Sequence, residues 1–363
     1  MVYISDYYKA VSSAAGILSG ELASAAPLLK SRMDAGRYDK VFEAALEENE
    51  LFTPYMVKNA LNEIFFMMAD SHLLADMVTS CVAELAGSTC CGNEQGSCCE
   101  AAPRALIIMA GNIPLVGFHD FLCTLLCGYD AVVKLSSKDS LLLPWLYGEL
   151  ESFCPAARGK VTFLRSRGEL SGIKKSGIKA VLVTGSSSTV ESVAREFDGV
   201  AVLSRGSRFS FAVLNGNETD DELDALCSDM FLYYGLGCRS VSNIMVPVGY
   251  DFTKLVECAG RYRGILSGKR WGNCYKRSRA VAVMDGICVA DGGFFVLVEK
   301  GQPWVEMSEI GVWYYNNTNE VEHFEEKFRG NIQKKYLTFG MAQSPAACEF
   351  ADNKNSIFFL LHI

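Results

Sequence analysis

Ala105-Leu106-Ile107-Ile108-Met109-Ala110-Gly111-Asn112-Ile113-Pro114-Leu115-Val116-Gly117-Phe118-His119-Asp120-Phe121 is the stretch whose reading decides the fold. Its first five residues are apolar without alternation, which predicts a strand, Ala105–Met109, covered on both faces. A polar turn with a glycine follows, and Pro114 suits the first turn of a helix. The same succession recurs downstream. Strands are expected at Ala131–Leu135, Val161–Leu164, Lys179–Thr184 and Val200–Ser204, with helices starting near Pro114, Asp139, Gly168 and Ser188. Strand–helix alternation with unbroken apolar strands predicts an α/β fold with a parallel sheet, the general form of a nucleotide-binding domain.

Working outward, the first hundred residues read as helical. From Pro54 to Gly87 apolar residues recur at three- and four-residue spacing (Leu61, Ile64, Phe65, Met68). The loop from Gly87 to Pro103 contains Cys90, Cys91, Cys98 and Cys99. These are adjacent doublets rather than the spaced pairs of a zinc site, so no metal is expected there. After Phe209–Leu214 a second unit begins, and Thr219-Asp220-Asp221-Glu222 fits a capping box opening a helix to about Tyr234. Later strands are expected at Ile244–Val246, Val281–Met284, Phe294–Val298, Val312–Tyr315 and Ile357–Leu361. The expected organisation is 1–214 (helical region and cofactor domain), 215–330 (catalytic domain) and 331–363, a segment returning to the sheet or an oligomer interface.

The 363 residues carry a net charge of −8, with a pI near 5.2. That balance argues against a nucleic-acid partner. No stretch is long and apolar enough for a membrane span, and no signal peptide is apparent, so a cytoplasmic protein is expected. Most of the fourteen cysteines then read as small buried hydrophobes.

Four turns carry chemistry. In Gly235-Leu236-Gly237-Cys238-Arg239 two glycines frame a cysteine with a cation beside it, which suits a thiolate nucleophile or, as readily, a buried cysteine in a turn. Asn112, at the end of the first strand, reads as a donor to an oxyanion or as a helix N-cap. Lys134, with Ser136 and Ser137, can hold a ribose or phosphate or lie in an exposed loop. Gly185-Ser186 precede a helix whose free amides favour a phosphate, or form an ordinary cap. His119 reads as a substrate or acid group, or as a structural histidine bonded to Asp120 or a backbone carbonyl. Arg205 and Arg208 read as CoA-phosphate contacts or surface residues.

Taken in order, these blocks resemble the acyl-CoA reductases similar to LuxC, within the aldehyde dehydrogenase superfamily. The resemblance rests on Ala110–Phe121, Lys134–Asp139, Thr184–Ser186 and Gly235–Ser242, and is thinner at Phe339–Pro345. It implies an aldehyde-dehydrogenase-like fold, with a Rossmann-type parallel-sheet cofactor domain and an α/β catalytic domain carrying the cysteine. It further implies Cys238 as nucleophile, Asn112 with the Cys238 amide as oxyanion hole, Lys134 and Ser136 toward the adenosine ribose, and Gly185 and Ser186 at the pyrophosphate. NADPH or NADH is the implied cofactor, with CoA as the leaving group. An acyl-donating partner enzyme and a homo-oligomer are also implied. Hydrolytic relatives carry a glutamate base where this chain has Arg205-Gly206-Ser207-Arg208-Phe209-Ser210, with no carboxylate. That departure points to reduction of an acyl thioester rather than oxidation of an aldehyde. The alternatives are an acyl group brought by a carrier protein, another activated carboxylate, a non-catalytic binding protein of the same fold, and a cysteine hydrolase needing a histidine base.

Overall fold

A strand apolar on both faces must be sandwiched, and β1 (Arg104–Ile108) is: Ala105, Leu106, Ile107 and Ile108 are all buried. In this computed structural model, which describes residues 4–88, 102–173 and 177–363, the chain divides into two compact units. The first runs to Gly206 and takes back Ala346–Ile363; the second is Ser207–Pro345. The cysteine-rich loop around Cys90, Cys91, Cys98 and Cys99 lies outside the described residues.

In the first unit β1 pairs in parallel with β2 (Asp130–Lys134) and β4 (Ala180–Thr184), flanked by β3 (Val161–Leu164) and β5 (Ala201–Arg205). The order is β3-β2-β1-β4-β5. Alternate residues serve opposite faces, as strand geometry requires. Ala105, Ile107, Ala131, Val133 and Leu182 meet the main core, with α5 (Phe118–Leu126), α6 (Leu142–Phe153) and the N-terminal helices. Leu106, Val132, Val181 and Val183 meet Leu170 of α7 (Arg167–Ser171) and Val193 of α8 (Ser187–Glu196) on the other face.

The N-terminal helices are α1 (Ile4–Asp34), α2 (Asp39–Glu48), α3 (Pro54–Ala69) and α4 (Ser71–Ser88). The Pro54–Gly87 pattern is therefore two helices. Asp70 breaks it by accepting the Leu73 amide at 2.9 Å, which caps α4.

The second unit holds a six-stranded sheet, β11-β6-β7-β10-β9-β8. Its strands are β6 (Phe209–Val213), β7 (Val241–Pro247), β8 (Cys288–Asp291), β9 (Val296–Val298), β10 (Glu309–Tyr315) and β11 (Ile332–Tyr336). Only β8 runs antiparallel to its neighbour. The helices are α9 (Asp220–Phe231), α10 (Thr253–Ala259), α11 (Lys269–Met284) and α12 (Thr318–Phe328). The capping box at Thr219 and Glu222 is formed on both sides.

Some expectations need correction. Phe209–Val213 opens the second sheet rather than closing the first unit, so the boundary falls at Gly206 rather than at 214. An apolar strand does not say which sheet it will join. Val281–Met284 is the last turn of α11, not a strand, and Val281, Val283 and Met284 are exposed. Ile357–Leu361 lies in helix α13 (Ser356–His362), in the first unit. Its buried residues, Ile357, Leu360 and Leu361, have the i, i+3, i+4 spacing of one helical face.

That returning segment is clamped by a buried ion pair. Arg205, at the end of β5, donates to both carboxylate oxygens of Asp120 on α5, each at 2.9 Å. The guanidinium also donates to Ala351 O, Lys354 O and Ser356 Oγ, and Ser356 Oγ donates to Asp120 at 2.6 Å. Arg205 is thus neither a surface residue nor free for a CoA phosphate. Burial by itself raises the Asp120 pKa, but the guanidinium and Ser356 together hold it below the usual carboxylate range.

Removing one partner leaves an uncompensated buried charge, so Asp120→Ala or Arg205→Ala is expected to cost about 3–5 kcal/mol in urea unfolding. Because the folded Asp120 pKa is depressed, this contribution is present above the unfolded carboxylate range and is lost as pH falls from there through the lower, folded value. An acid limb in the melting temperature, absent from a stably folded Asp120→Asn variant, checks the sign.

Candidate active site

In the first unit the strand order reverses direction between β1 and β4, and ligands of open parallel sheets bind outside the carboxyl ends at such a point. The turn after β1 carries Asn112, which is half-buried. Helix α5 begins at Phe118 with Gly117 as its N-cap, so Asn112 does not cap it. The turn is tightly held. Gly111 has no space for a Cβ, which would collide with the Ser136 side chain. Gly111 O accepts from Asn49 Nδ2 at 3.1 Å, and Leu115 N donates to Asp139 Oδ2 at 2.8 Å. Leu115 itself has φ 56°, a left-handed conformation that a branched residue adopts only under constraint.

Lys134 ends β2 and is half-buried, with its amine on Leu135 O at 2.5 Å; burial lowers its pKa. Ser136 bridges to Asp139, and its hydroxyl accepts the Lys138 amide at 3.2 Å. Gly185 and Ser186 follow β4. Ser186 Oγ caps α8 by accepting from Thr189 N at 3.3 Å, and lies 3.0 Å from Ser188 Oγ and 2.9 Å from Thr189 Oγ1. Asn112, Lys134, Ser136, Gly185 and Ser186 therefore all stand at the carboxyl ends of neighbouring strands. His119 points elsewhere: its Nε2 is 2.6 Å from Ala347 O and its ring meets Phe350 edge-on, a structural arrangement.

Cys238 belongs to the second unit. Before it, Tyr233 (φ 58°), Tyr234 (φ 55°) and Gly235 (φ 63°) form a left-handed run. A Cβ on Gly235 would lie 3.0 Å from Met230 O, so glycine is needed there for space as well as for φ. The Tyr234 ring packs on Trp271, with centroids 5.7 Å apart, and Trp271 Nε1 is fixed on Phe294 O at 2.8 Å. Ser210 Oγ donates to Cys238 O at 2.9 Å, and Ser240 N closes a turn on Gly237 O at 3.0 Å. Gln343 Nε2 donates to Ser240 Oγ at 3.0 Å, bringing the Phe339–Pro345 block alongside the cysteine segment. Buried Asp229 holds that block by accepting the Gly340 and Ala342 amides at 2.6 and 3.0 Å.

Cys238 and Arg239 are half-buried, whereas Cys81, Cys123, Cys127, Cys154 and Cys227 are buried, and burial pushes their thiols up. No carboxylate appears in Arg205–Ser210: Arg205 is in the ion pair, Arg208 donates to Gly330 O, and Ser210 holds the Cys238 carbonyl.

Residues missed in the sequence are Asn49 and Asp139. Asp139 closes the Lys134–Asp139 block, where a buried carboxylate was not expected. Its Oδ1 is buried with no hydrogen-bond partner among the described residues. Burial, tempered by the Leu115 amide and reinforced by the charge of Glu48, raises its pKa from 3.8 to about 7. The folded state thus holds a proton that the unfolded state releases, and stability falls as pH rises across that interval. Asp139→Asn is expected to melt higher than the parent at about pH 8, with the advantage vanishing near about pH 4. A constant difference across that range would contradict the assignment.

The family model for acyl-CoA reductase (LuxC) matches residues 29–260. No curated protein sequence matches the chain. Among solved structures, aldehyde dehydrogenase 21 from Physcomitrella patens, in complex with succinate, aligns with a TM-score of 0.56 at 14% identity, covering 91% of this chain and 75% of that one. An aldehyde dehydrogenase of Mycobacterium tuberculosis complexed with NAD+ aligns at 0.55 and 15% identity, covering 93% and 83%. The NADP-dependent glyceraldehyde-3-phosphate dehydrogenase of Bacillus halodurans C-125, complexed with NADP, gives 0.54 and 15%, covering 92% and 82%. At such identities the likeness is one of fold. The family match, by contrast, spans α2 to α4, the whole first sheet and the cysteine turn, and with it the chain belongs to the LuxC family of acyl-CoA reductases, built on an aldehyde-dehydrogenase-like α/β fold.

Proposed function

We propose that the chain reduces an acyl-CoA thioester to the aldehyde through an acyl-enzyme on Cys238. The observation that carries this reading is the pairing of an accessible cysteine on a strained turn with a carboxylate-free Arg205–Ser210 stretch. The Cys238 thiolate attacks the thioester carbonyl, and the new C–S bond gives a tetrahedral oxyanion. The family resemblance gives the role of donor to that oxygen to Asn112 and the Cys238 amide. CoA leaves with the C–S electron pair of the substrate and takes up a proton. Without a carboxylate in Arg205–Ser210 to activate water, the acyl-enzyme is expected to outlast hydrolysis.

The strand-end turns fit a nicotinamide dinucleotide. The hydroxyls of Ser186, Ser188 and Thr189 with the α8 amides suit a pyrophosphate, and Lys134 with Ser136 suits a ribose. When bound, the reduced nicotinamide supplies the hydride that takes the acyl carbon to the aldehyde level. One NAD(P)H and one proton are consumed, and one CoA and one aldehyde are released. Arg239 follows Cys238 in sequence, and a cation on the side of the thiol favours the thiolate.

A second reading, delivery of the acyl group from an acidic carrier protein, is favoured by one charge pattern. In a chain of net −8, the stretch Lys254–Arg279 holds eight basic residues against the single acid Glu257. Lys254, Lys269, Arg270 and Lys276 there are exposed, and such a surface attracts an acidic partner.

With reduced protein and a series of acyl-CoA esters, NAD(P)H consumption is expected in the parent and is expected to fall by at least about 10³-fold in Cys238→Ala. Turnover surviving in that variant would sink the mechanism. Turnover with an acyl-carrier substrate and none with any CoA ester would select the second reading.

A further inference from the structure

The turn bearing Asn112 is held by two buried side chains, those of Asn49 and Asp139; Asp139 also meets the strand-end residue Ser136, through a backbone bridge. Asn49, just past α2, is only 5% exposed. Its amide donates to Gly111 O, while its Oδ1 accepts Leu51 N at 3.0 Å, so the side chain is fixed in both directions. Asp139 is 7% exposed and takes the amide of the left-handed Leu115. These two bonds bracket Asn112, one on the residue before it and one on the residue three after it. The same end of α2 also holds the neighbouring loop, since Glu48 accepts both the amide and the hydroxyl of Ser140, at 2.8 and 2.5 Å. A turn with a branched residue at φ 56° relaxes toward ordinary backbone angles unless such bonds prevent it.

We propose that Asn49 and Asp139 are positioning residues that fix the Gly111–Leu115 turn, and through it the side chain of Asn112, against movement while negative charge builds on the substrate oxygen. The proposal deepens the reading of Asn112 as an oxyanion donor and rests on it. An oxyanion donor works through preorganisation, so it must be placed before the reaction rather than recruited by it. Neither Asn49 nor Asp139 touches the reacting atoms; each acts on the backbone that carries the donor. The N-terminal helices are then part of the catalytic apparatus, with α2 delivering Asn49 and Glu48 to the two turns that follow β1 and β2.

The test is a double-mutant cycle on the full chain, read as the single-turnover rate of CoA release from an acyl-CoA without reductant. This isolates acyl-enzyme formation from the hydride step. Asn112→Ala is expected to slow release about 10²–10³-fold. Asn49→Ala and Asp139→Ala are each expected to slow it about 10-fold, the scale of a small misplacement of the donor, with KM for the acyl-CoA little changed. Combined with Asn112→Ala, either variant is expected to add nothing, because the group it positions is already gone. Asp139→Asn, which keeps an acceptor for the Leu115 amide, is expected to recover most of the rate.

Additive losses in the double variants, or single variants at the parental rate, would overturn the proposal while leaving the acyl-enzyme reading intact. If Asn112→Ala itself releases CoA at the parental rate, the oxyanion reading fails first, and that result is distinct from both. If an alanine variant does not fold, Asn49→Ser and Asp139→Ser run the same cycle. In that case a slowing of about threefold that vanishes in the Asn112→Ala background supports positioning, and one that persists there overturns it.

Discussion

The buried ion pair between Arg205 and Asp120 is the constraint on which the first unit depends. Arg205 ends β5, Asp120 sits in the first turn of α5, and the Ala351–Ser356 segment completes the arginine's hydrogen bonds. One guanidinium therefore ties the last strand of the sheet, the helix that follows the Asn112 turn, and the end of the chain. The net worth of such a pair is modest, because two charges must be desolvated. Its effect on geometry is larger: a planar fork bonded through Nε and both terminal nitrogens restricts the arrangement of its partners. Tyr129 adds to this by donating to Leu360 O at 2.7 Å, so α13 is fixed at both ends against α5 and its neighbours.

This scaffold leaves the turns at the carboxyl ends of the strands as the places where polar chemistry can stand. They are not loose. Gly111 is pressed against Ser136, Leu115 is held left-handed, and Ser186 is committed to capping α8. The second unit uses the same device at Tyr233–Gly235, a left-handed run in which Tyr234 packs on Trp271. In both units backbone strain sits beside the residue proposed to do chemistry, and buried side chains maintain it.

Much of this was legible in the sequence. The apolar runs at Ala105–Met109 and Ala131–Leu135 identified central strands of the first sheet because a strand covered on both faces is apolar without alternation. Thr219 and Glu222 identified the start of α9 because their pairing satisfies specific amides. Other features were hidden. Ile357–Leu361 reads as a strand by its apolar run, although the spacing of Ile357, Leu360 and Leu361 already fitted a helix. Val281–Met284 failed for the same reason, since four apolar residues do not distinguish a strand from the end of a helix. Arg205, Asn49 and Asp139 could not be read at all. Each is defined by a partner distant in sequence, as with Arg205 and Asp120, and no local pattern marks such a pairing.

The proposed reaction is covalent: the acyl group passes through Cys238. The most direct measurement is mass spectrometry of the reduced full-length protein after incubation with an acyl-CoA in the absence of nicotinamide, followed by proteolysis. The account predicts a single acyl adduct on the peptide carrying Cys238, removable by hydroxylamine and missing from Cys238→Ala. An adduct on another cysteine, or CoA release with no adduct anywhere, would contradict it.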